Sequence, residues 1–457
     1  MNAMQNRSPW IHQLKKERSV QKLQHDIETD VAIIGAGIAG ISTAFFILKH
    51  TNKKVALVEG YRLAHGATGH NAGQVTSYFE RPFSDIVREF GLEMAVEGQK
   101  SIESAWELVD EMYTEAGLDI PFSRFIGSAG YSSKEQIIRH LENDLLRRKG
   151  GLYTRAMEIW EDVDFLHEIS DKYHDLFTLV SKEEIALRLE TLDPQYIAMS
   201  HSQKGVMNSA LFSQEIVSYL NQKYADRFTL YEETPIHKIV IHDKNILLDA
   251  IHHTVLCSET VLCTNGFEKF DILTSEGLTL NTRFHHSLHG VVGFMGAYLE
   301  PGTNSQSVLS YYEKKQKGNE PYFYVTRRNY EYEPGHKHNL VSVGGPEFSL
   351  PEKGEYDRNL EFSQEAKDEI ERFVERTYDK KQMDYLFMWH GVMGYTNNLI
   401  RMVGHDPKEK KLFYNLGCNG VGLLPSIFGG YKVAKEIAGE KFKPSIFDVP
   451  NVDREIK

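Results

Sequence analysis

The residues best suited to chemistry are three glycines, Gly35, Gly37 and Gly40, which follow an apolar, β-branched run in G-x-G-x-x-G spacing. Between a strand and a helix, the first glycine permits a tight turn and the second lets backbone amides approach a pyrophosphate, while the third lets the helix pack closely on its strand. The N-terminus of that helix carries about half a positive charge, which attracts phosphate. The spacing therefore predicts a dinucleotide site.

Glu59 ends the next apolar run, residues 55–58. At this distance from the glycines a carboxylate can accept hydrogen bonds from ribose hydroxyls, and it would repel a 2′-phosphate, which disfavours NADP. Three glycines in a turn can also mean tight packing alone. Strand, glycines, helix, second strand and terminal acid occur here in order, so dinucleotide binding is the favoured interpretation. These residues do not distinguish FAD from NAD.

Two later segments bear on that choice. An apolar run, 260–263, stops at Thr264-Asn265-Gly266, where a second strand end could meet the cofactor. Near the C-terminus, 412–416 predicts a strand, 417–422 a glycine loop and 423–438 a helix. In an NAD enzyme this late helix has no obvious partner, whereas a flavin becomes negative near N1 and C2=O on reduction, where a helix N-terminus would stabilise it. The closing unit therefore favours FAD.

Composition limits the class of protein. A chain of 457 residues suggests two or three domains. Its 64 acidic and 52 basic residues give a net charge of −12, which argues against a nucleic-acid partner. No apolar run reaches the roughly 18 residues of a membrane span, and the N-terminus lacks a signal-peptide core. Three cysteines cannot form a disulfide framework, which fits a reducing compartment. From these observations together we expect a cytoplasmic protein without a transmembrane segment.

The remaining elements follow from hydrophobic periodicity. Apolar residues at helical steps predict one or two long helices over 83–117, with Gly117 as a stop. Further helices are expected over 135–148, 154–173, 211–224 and 363–376, and strands over 125–132, 289–298, 322–328 and 339–345. Residues 1–28 are polar, with a lone Trp10, and are expected to form an N-terminal arm.

The motifs together resemble those of the D-amino-acid oxidase, glycine oxidase and sarcosine oxidase superfamily. The resemblance rests on the opening glycines with Glu59, the small-residue loop 66–74, the turn 263–266 and the loop 417–422. Residues 71–74 look most like the gamma-glutamylputrescine oxidoreductase branch. The resemblance implies an α/β fold: a Rossmann-like FAD-binding domain, formed by 29–90, 200–283 and 385–457, and a substrate domain with a large mixed β-sheet, formed by 91–199 and 284–384.

The resemblance also implies which residues contact FAD. The pyrophosphate would lie on the first turn, the adenosine on Glu59 and the backbone of Ile236, and the isoalloxazine between the loop after Glu59 and the closing glycine loop. The implied set is Gly35, Gly37, Ile38, Ala39, Gly40, Glu59, Gly60, Arg62, Ala67, Thr68, Gly69, His70, Asn71, Ala72, Gly73, Gln74, Ile236, Thr264, Asn265, Gly266, Gly394, Gly417, Asn419, Gly420, Val421 and Gly422. No motif calls for a metal ion.

Three positions depart from the family pattern. The family often has Arg where His70 stands and His where Val421 stands. Met393 occupies the position of a flavin-linked cysteine in monomeric sarcosine oxidase, which argues against that linkage. A related group links flavin to a histidine three residues before a glycine, as His70 precedes Gly73. A polar contact from His70 is preferred over a covalent bond, so FAD is expected to be non-covalent.

The implied reaction is oxidation of a C–N bond in an amine or amino acid, by hydride transfer to flavin N5. A substrate carboxylate would want a bidentate Arg, for which the candidates are Arg327, Arg328 and Arg401. Tyr324 and Tyr395 are candidates to orient the substrate, and His286 or His289 to place positive charge near N5 for reaction with oxygen or another acceptor. Two alternatives stay open: an NAD-dependent dehydrogenase, and a binding subunit whose FAD is structural.

Overall fold

The computed structural model describes residues 6–15, 18–266, 270–279, 288–301, 306–313, 322–351, 356–381 and 383–450. The α-helices in these ranges are α1 Pro9–His12, α2 Ile38–His50, α3 Phe83–Phe90, α4 Leu92–Ala116, α5 Lys134–Lys149, α6 Lys182–Arg188, α7 Ser209–Lys223, α8 Gln364–Tyr378 and α9 Leu423–Ile437. Short 3-10 helices cover Ala67–Gly69, Leu166–Glu168 and Asp171–Leu176.

The strands divide between two sheets. Those of the first sheet are β1 Ile27–Ile34, β2 Val55–Val58, β8 Phe228–Tyr231, β9 Lys238–Ile241, β10 Ile246–Asp249, β11 Thr254–Leu262, β12 Asp271–Thr274, β18 Met402–His405 and β19 Leu412–Leu416. Those of the second are β3 Gln74–Thr76, β4 Phe122–Tyr131, β5 Met157–Trp160, β6 Phe177–Val180, β7 Ala198–Met207, β13 Leu288–Pro301, β14 Ser307–Tyr312, β15 Tyr322–Glu333, β16 His336–Ser349 and β17 Phe387–Thr396.

The first sheet has a parallel centre in the order β8, β2, β1, β11, β19, with β18 antiparallel at the end. β2 and the second half of β1 are fully buried, as expected for strands of a parallel sheet that is covered on both faces. The antiparallel strands β9 and β10 join the first half of β11. This arrangement brings the C-terminal ends of β1, β2, β11 and β19 to one edge, where ligands bind in open α/β sheets.

Two glycines of the opening motif are fixed by close contacts. Gly35 ends β1 with φ +104°, and a Cβ there would lie 2.7 Å from the carbonyl oxygen of Cys263. A Cβ on Gly40 would lie 1.9 Å from the carbonyl oxygen of Gly35. A side chain at either position would therefore force the turn away from β11 or push α2 away from the turn.

The second sheet is mixed, in the order β17, β13, β16, β15, β14, β4, β7, β5, β6, with β3 paired to β7. Most neighbours are antiparallel, whereas β14 with β4 and β5 with β6 are parallel. A Rossmann-like sheet beside a large mixed sheet confirms the predicted fold class. The domain boundaries stay a prediction. They assign most of β7 and all of β17 to the FAD-binding domain, although both strands pair in the second sheet.

Several predicted elements are present at nearly the expected bounds: α3 and α4, with Gly117 in the left-handed conformation after α4, and α5, α7 and α8. The helix expected over 154–173 is wrong, because this segment forms β5 and two 3-10 helices. Met157 and Ile159 are buried and alternate with half-buried neighbours, which is the period of a strand. Within the described ranges, no helix is both long and apolar enough to span a bilayer.

Candidate functional site

The turn after β1 is closed by the carboxylate of Glu59. Its Oε2 accepts a hydrogen bond from the Ala36 amide and its Oε1 from the Tyr61 amide, both at 2.8 Å. Burial raises the pKa of Glu59, with the two amide hydrogen bonds acting in the opposite direction. On the other side of the turn, Thr68 Oγ1 accepts from the Ile38 amide at 2.9 Å. The acid, the turn and the first turn of α2 are therefore held together by hydrogen bonds.

The backbone after Glu59 pairs with the segment that leads to Ile236. The Glu59 amide donates to the Tyr231 carbonyl at 2.8 Å and the Thr234 amide donates to the Glu59 carbonyl at 2.9 Å. This pairing holds the segment before Ile236 beside Gly60. Arg62 lies nearby, and its Nε is 3.0 Å from a carboxylate oxygen of Glu233.

The loop that contains Ala67, Thr68, Gly69, His70, Asn71, Ala72, Gly73 and Gln74 is held by its own side chains and by α7. The Thr68 carbonyl accepts hydrogen bonds from Ser209 Oγ at 2.6 Å and from Asn71 Nδ2 at 2.9 Å. Asn71 Oδ1 in turn accepts from the Gly73 amide at 2.7 Å. Gln74 Nε2 donates to Thr326 Oγ1 of β15 at 3.0 Å, which ties the loop to the second sheet.

The N-terminal arm supports this loop from outside, a role that the sequence did not suggest. Trp10 is fully buried, and its Nε1 donates to the Asn71 carbonyl at 2.6 Å. A Cβ on Gly73 would lie 2.6 Å from the Trp10 ring. Ser8 Oγ donates to the Gly69 carbonyl. The one signal in the sequence was a lone tryptophan within a polar segment.

His70 faces the backbone of its own loop. Its Nδ1 lies 3.1 Å from the Gly66 carbonyl oxygen, and burial lowers its pKa to about 4, so the imidazole is neutral at pH 7. A Cβ on Gly391 of β17 would lie 2.5 Å from the His70 carbonyl oxygen. The loop therefore packs directly on the strand that carries Met393 and Gly394.

The turn after β11 joins β17 to the closing glycine loop. Asn265 has φ +63°, and its Oδ1 accepts a hydrogen bond from the Cys418 amide at 2.9 Å. A Cβ on Gly394 would lie 2.1 Å from the Asn265 carbonyl oxygen. The Asn419 amide donates to the Gly394 carbonyl at 2.9 Å. Three of the separated segments predicted to contact FAD, those of Thr264 to Gly266, Gly394 and Gly417 to Gly422, are thus brought together, and Gly422 begins α9 as its N-cap.

Arg401 and Arg327 are engaged within the protein. Arg401 is buried and donates to Asn415 Oδ1 at 2.6 Å, to the Asn415 carbonyl at 2.8 Å and to the Gly417 carbonyl at 3.3 Å, while burial lowers its pKa to about 10. Arg327 forms ion pairs with Glu190 and, at 3.1 Å, with Glu300. These contacts account for both guanidinium groups without a substrate carboxylate.

Arg328 is also engaged, because it donates to Gln13 Oε1 at 3.0 Å and lies 4.9 Å from the centre of the Trp10 ring. His289 is exposed, with its ring 5.7 Å from that of Tyr395 on the neighbouring strand. His286 lies outside the described residues.

Beside Gly420 the structure brings Glu80 together with Tyr395. A Cβ on Gly420 would lie 2.9 Å from both Glu80 Cγ and the Tyr395 hydroxyl oxygen. Burial raises the pKa of Glu80 to about 7, with a further rise from the charge of Glu347 and an opposing effect of Lys204. Tyr395 was predicted from the sequence. Glu80 was missed, because it follows a short strand and stands in no recognisable spacing.

Tyrosines and a buried lysine continue this cleft. The hydroxyl oxygen of Tyr322 lies 3.3 Å from that of Tyr78 and 3.2 Å from Ser310 Oγ. Lys204 is 2% exposed, and its Nζ donates to Ser310 Oγ at 3.1 Å. Burial lowers the pKa of Lys204 to about 8, and Glu80 opposes that change. The predicted Tyr324 lies next to Tyr322, with a ring centroid separation of 5.6 Å.

A β-bulge precedes Glu347, whose side chain is exposed near the end of β16. In the pairing of β13 with β16, Met295 lies opposite Gly344 and Gly293 lies opposite Glu347, so two residues of β16 face one of β13. Such a bulge shifts the alternation of faces by one, which places Glu347 on the side of Gly344, where the Tyr324 ring packs. Burial raises the pKa of Tyr324 and of Tyr395, and the charge of Glu347 adds to both rises.

Residues 30–436 match the family model of FAD-dependent oxidoreductases known as DAO. The chain belongs to this family. Solved structures with the same fold include glycine oxidase from Geobacillus kaustophilus (TM-score 0.65, 17% identity, 92% of this chain and 97% of that one) and L-proline dehydrogenase from P. horikoshii (TM-score 0.65, 16% identity, 92% and 95%). Family membership confirms the predicted superfamily and identifies FAD as the cofactor.

Similarity to curated relatives is limited to short segments. The chain is 32% identical to gamma-glutamylputrescine oxidoreductase of Escherichia coli over 73 residues, which are 16% of this chain and 17% of that protein. It is 29% identical to the protein YhfW of Bacillus subtilis over 135 residues, 29% of this chain and 26% of that protein. The matched segments thus span about a quarter or less of these two relatives, and the similarity to the named branch is weak.

The residues of this DAO-family chain fit FAD. Close contacts at Gly35 and Gly40 keep the turn before α2 free of side chains, and the Glu59 carboxylate closes its edge. At the other end, Gly420 is exposed, with φ +77°. A Cβ at this position would crowd the Glu80 and Tyr395 side chains, so glycine suits it best. A dinucleotide with a flat reactive ring can therefore use both ends of the chain.

Proposed function

We propose that this chain oxidises a C–N bond of an amine or amino acid, with FAD as the hydride acceptor. The observation that carries the proposal is the contact at Gly420, where a glycine loop expected to border the flavin meets Glu80 and Tyr395. The names of the similar proteins, an amino-acid oxidase, a proline dehydrogenase and an amine oxidoreductase, agree with this chemistry.

In this proposal the chain holds FAD in an extended form. The amides at Gly37 to Gly40 would bind the pyrophosphate and Glu59 the ribose, with Ile236 beside the adenine. The loop of Ala67 to Gln74 and residues Gly420 to Gly422 would border the isoalloxazine. When bound, FAD would supply the acceptor for the hydride that leaves the carbon next to the amine nitrogen, and the imine product would hydrolyse in water.

The protein's own residues would prepare the substrate. An amine must be neutral to give up a hydride, whereas most amines are protonated at pH 7. A Glu80 carboxylate can take that proton, since a base is most useful when its pKa lies near the working pH, and the pKa of Glu80 is about 7. The hydroxyl groups of Tyr324 and Tyr395 would orient the nitrogen over the flavin.

The test is anaerobic titration of the purified, FAD-loaded protein with D- and L-amino acids, N-methyl amino acids and aliphatic amines. We expect at least one compound to bleach the flavin absorbance, with recovery and hydrogen peroxide formation if oxygen is the acceptor. Membership of an FAD-dependent family argues against the NAD-dependent alternative. A yellow protein that no compound bleaches would favour the alternative of a binding subunit with structural FAD.

We also propose that FAD is held without a covalent bond. The His70 Nδ1 is engaged by the Gly66 carbonyl, and the residue stands within a loop that is tightly hydrogen-bonded. Acid precipitation should therefore release all of the flavin into the supernatant. Yellow colour retained by the precipitate, and lost in His70→Ala, would show a histidyl link instead.

A further inference from the structure

A buried arginine, Arg401, stands behind the closing glycine loop and is only 5% exposed. Its Nε donates to Asn415 Oδ1 at 2.6 Å, and its Nη2 donates to the Asn415 carbonyl at 2.8 Å. Its Nη1 donates to the Gly417 carbonyl at 3.3 Å. Asn415 lies near the end of β19 and Gly417 opens the loop. The guanidinium therefore joins the end of the strand to the loop that is expected to border the flavin ring.

The hydrogen-bond partners of Arg401 are neutral. Within the part of the chain that the structure describes, these bonds end on one side-chain amide and two backbone carbonyls, and none ends on a carboxylate. An arginine keeps its positive charge at neutral pH. A buried charge without a carboxylate partner is unfavourable for folding, and packing alone would favour an apolar residue at this position. The buried charge therefore calls for a role other than stability.

The N-terminus of α9 lies close to the same group. Asn415, which accepts a hydrogen bond from Arg401, donates through its Nδ2 to the carbonyl of Ser426 in the first turn of α9, at 3.0 Å. The amides at the start of a helix carry about half a positive charge. Pro425, in the same turn, has no N–H and so removes one of these donors. Arg401 adds a full positive charge behind the same loop.

We propose that Arg401 is a positioning residue whose charge, behind the loop of Gly417 to Gly422, makes the bound flavin easier to reduce. A neutral amine that loses a hydride becomes a protonated imine, and the hydride brings one negative charge to the flavin, near N1 and C2=O. A cation behind the loop that borders this edge stabilises the negative ring relative to the neutral, oxidised one. This inference rests on the proposed function for the position of the flavin ring, and it does not depend on which amine is oxidised.

The reduction potential of the flavin tests the inference. FAD-loaded protein is reduced slowly by xanthine and xanthine oxidase beside a reference dye, so that the potential is measured without any amine substrate. Arg401→Gln keeps a hydrogen-bond donor and removes the charge. We expect the equilibrium constant for reduction to fall about tenfold, which is about 30 mV for a two-electron couple. Arg401→Lys keeps the charge and should stay close to the wild-type potential.

The matched control is Arg227→Gln. Arg227 also donates to three carbonyls, those of Leu48, Thr51 and Lys53. Its own carbonyl accepts from the first amide of β2, so it lies at the edge of the first sheet opposite the glycine loops. Its replacement removes similar hydrogen bonds far from the flavin ring, and should leave the potential unchanged.

A second variant, Asn415→Asp, tests the same charge where Arg401→Gln fails to fold. The new carboxylate would take the place of the amide oxygen that lies 2.6 Å from Arg401 Nε. An ion pair at this distance offsets the charge of the guanidinium while leaving the arginine in place. We therefore expect the potential to fall in this variant as well.

The outcomes separate this inference from the proposed function. An unchanged potential in Arg401→Gln, or in Asn415→Asp where the first variant does not fold, contradicts the role of Arg401, while bleaching of the flavin by an amine would still support C–N oxidation. A potential that falls equally in Arg401→Gln and Arg401→Lys shows that Arg401 only shapes the loop, which also contradicts the inference. A potential that falls only where the charge is lost supports it, even if no amine bleaches the flavin.

Discussion

At the scale of single residues, the cleft holds ionisable groups in an environment that opposes their charge. The pKa of Glu80 is raised to about 7, first by burial and then by the charge of Glu347. A buried carboxylate with a raised pKa costs free energy when it is ionised. Such a cost is typical of binding and catalytic groups, because packing alone would favour neutral side chains. In the proposed function the Glu80 carboxylate must be ionised when the amine binds, because it takes the proton of the amine.

This cost predicts how stability depends on pH. The pKa of Glu80 is higher in the folded protein than the value of about 4.3 in an unfolded chain, so the folded state retains a proton that the unfolded state releases. Stability therefore falls as the pH rises from about 4.3 to about 7. Glu80→Gln removes the charge, and should raise the free energy of unfolding by about 1–2 kcal/mol at pH 8 and by nearly nothing at pH 4.5.

The measurement is thermal or urea unfolding at the two pH values. Among the described residues, the titratable groups whose charges interact with Glu80 are Glu347, Lys204, Tyr78, Tyr312, Tyr322, Tyr324 and Tyr395. The pKa of Lys204, about 8, lies closest to this range. Glu333→Gln provides the exposed control, with no expected difference between the two pH values. A Glu80→Gln protein that is less stable than the wild type at pH 8 would contradict the assignment.

Residue chemistry was only partly predictable from the sequence. The turn glycines, Glu59 and the glycine loops could be proposed as FAD contacts from the sequence because their order along the chain reflects a known strand and helix arrangement. Glu80 was missed because only the tertiary structure brings it next to Gly420, far away in sequence. Arg327 and Arg401 were plausible by type, but their partners are distant in sequence and could not be read from it.

At the scale of elements, the N-terminal arm is a structural part of the site. Trp10 packs its ring on Gly73 and Arg328, and meets Trp389 of β17 edge to face at 6.4 Å. Asn208, the N-cap of α7, donates to the Trp10 carbonyl at 3.2 Å. The arm therefore connects the loop of Ala67 to Gln74 with β17 and α7, which border it on different sides.

Trp10→Phe tests that role. Phenylalanine keeps most of the ring and loses the donor to the Asn71 carbonyl, so we expect about 1–2 kcal/mol less stability and a several-fold faster release of FAD. The release is followed by the rise of free-flavin fluorescence after dilution. Trp160→Phe, in β5 at the far side of the second sheet, is the matched control and should leave the release rate unchanged. Equal release rates for Trp10→Phe and the wild type would contradict the role of the arm.

Helices were predicted correctly where their apolar periodicity extends over many residues. The helices α4, α5 and α8 have clear apolar stripes and caps, including a capping box at Ser133 and a left-handed Gly117. The segment 154–173 failed because β5 has four residues, too few for alternation to outweigh a helical interpretation. The register that sets the bulge at β16 depends on β13, about fifty residues away in sequence, and no local signal specifies it.

At the scale of the whole molecule, the site depends on contact between the two ends of the chain. The helices α2 and α9, which follow the first and last glycine loops, pack on each other. Ser42 Oγ donates to the Ser426 carbonyl at 3.2 Å, and Asn415 Nδ2 donates to the same carbonyl at 3.0 Å. In the proposed complex, α2 would face the pyrophosphate and α9 the flavin ring, so the distance between these helices sets the length available to FAD.

Gly430 of α9 sets that distance, since a Cβ there would lie 2.6 Å from the Thr43 amide nitrogen and 2.7 Å from Ser42 Oγ. In an ordinary helix Gly→Ala stabilises by about 1 kcal/mol. Here the backbone contact should reverse the sign of the effect, so we expect Gly430→Ala to lower the free energy of unfolding by about 1–3 kcal/mol and to weaken FAD binding.

The measurements are the melting temperature with and without added FAD, and the FAD to protein ratio after gel filtration. Lys435→Ala, on the same helix, should leave FAD content unchanged. A higher melting temperature in Gly430→Ala would show that the two helices can separate without cost, and that the ends of the chain do not jointly determine how FAD is held.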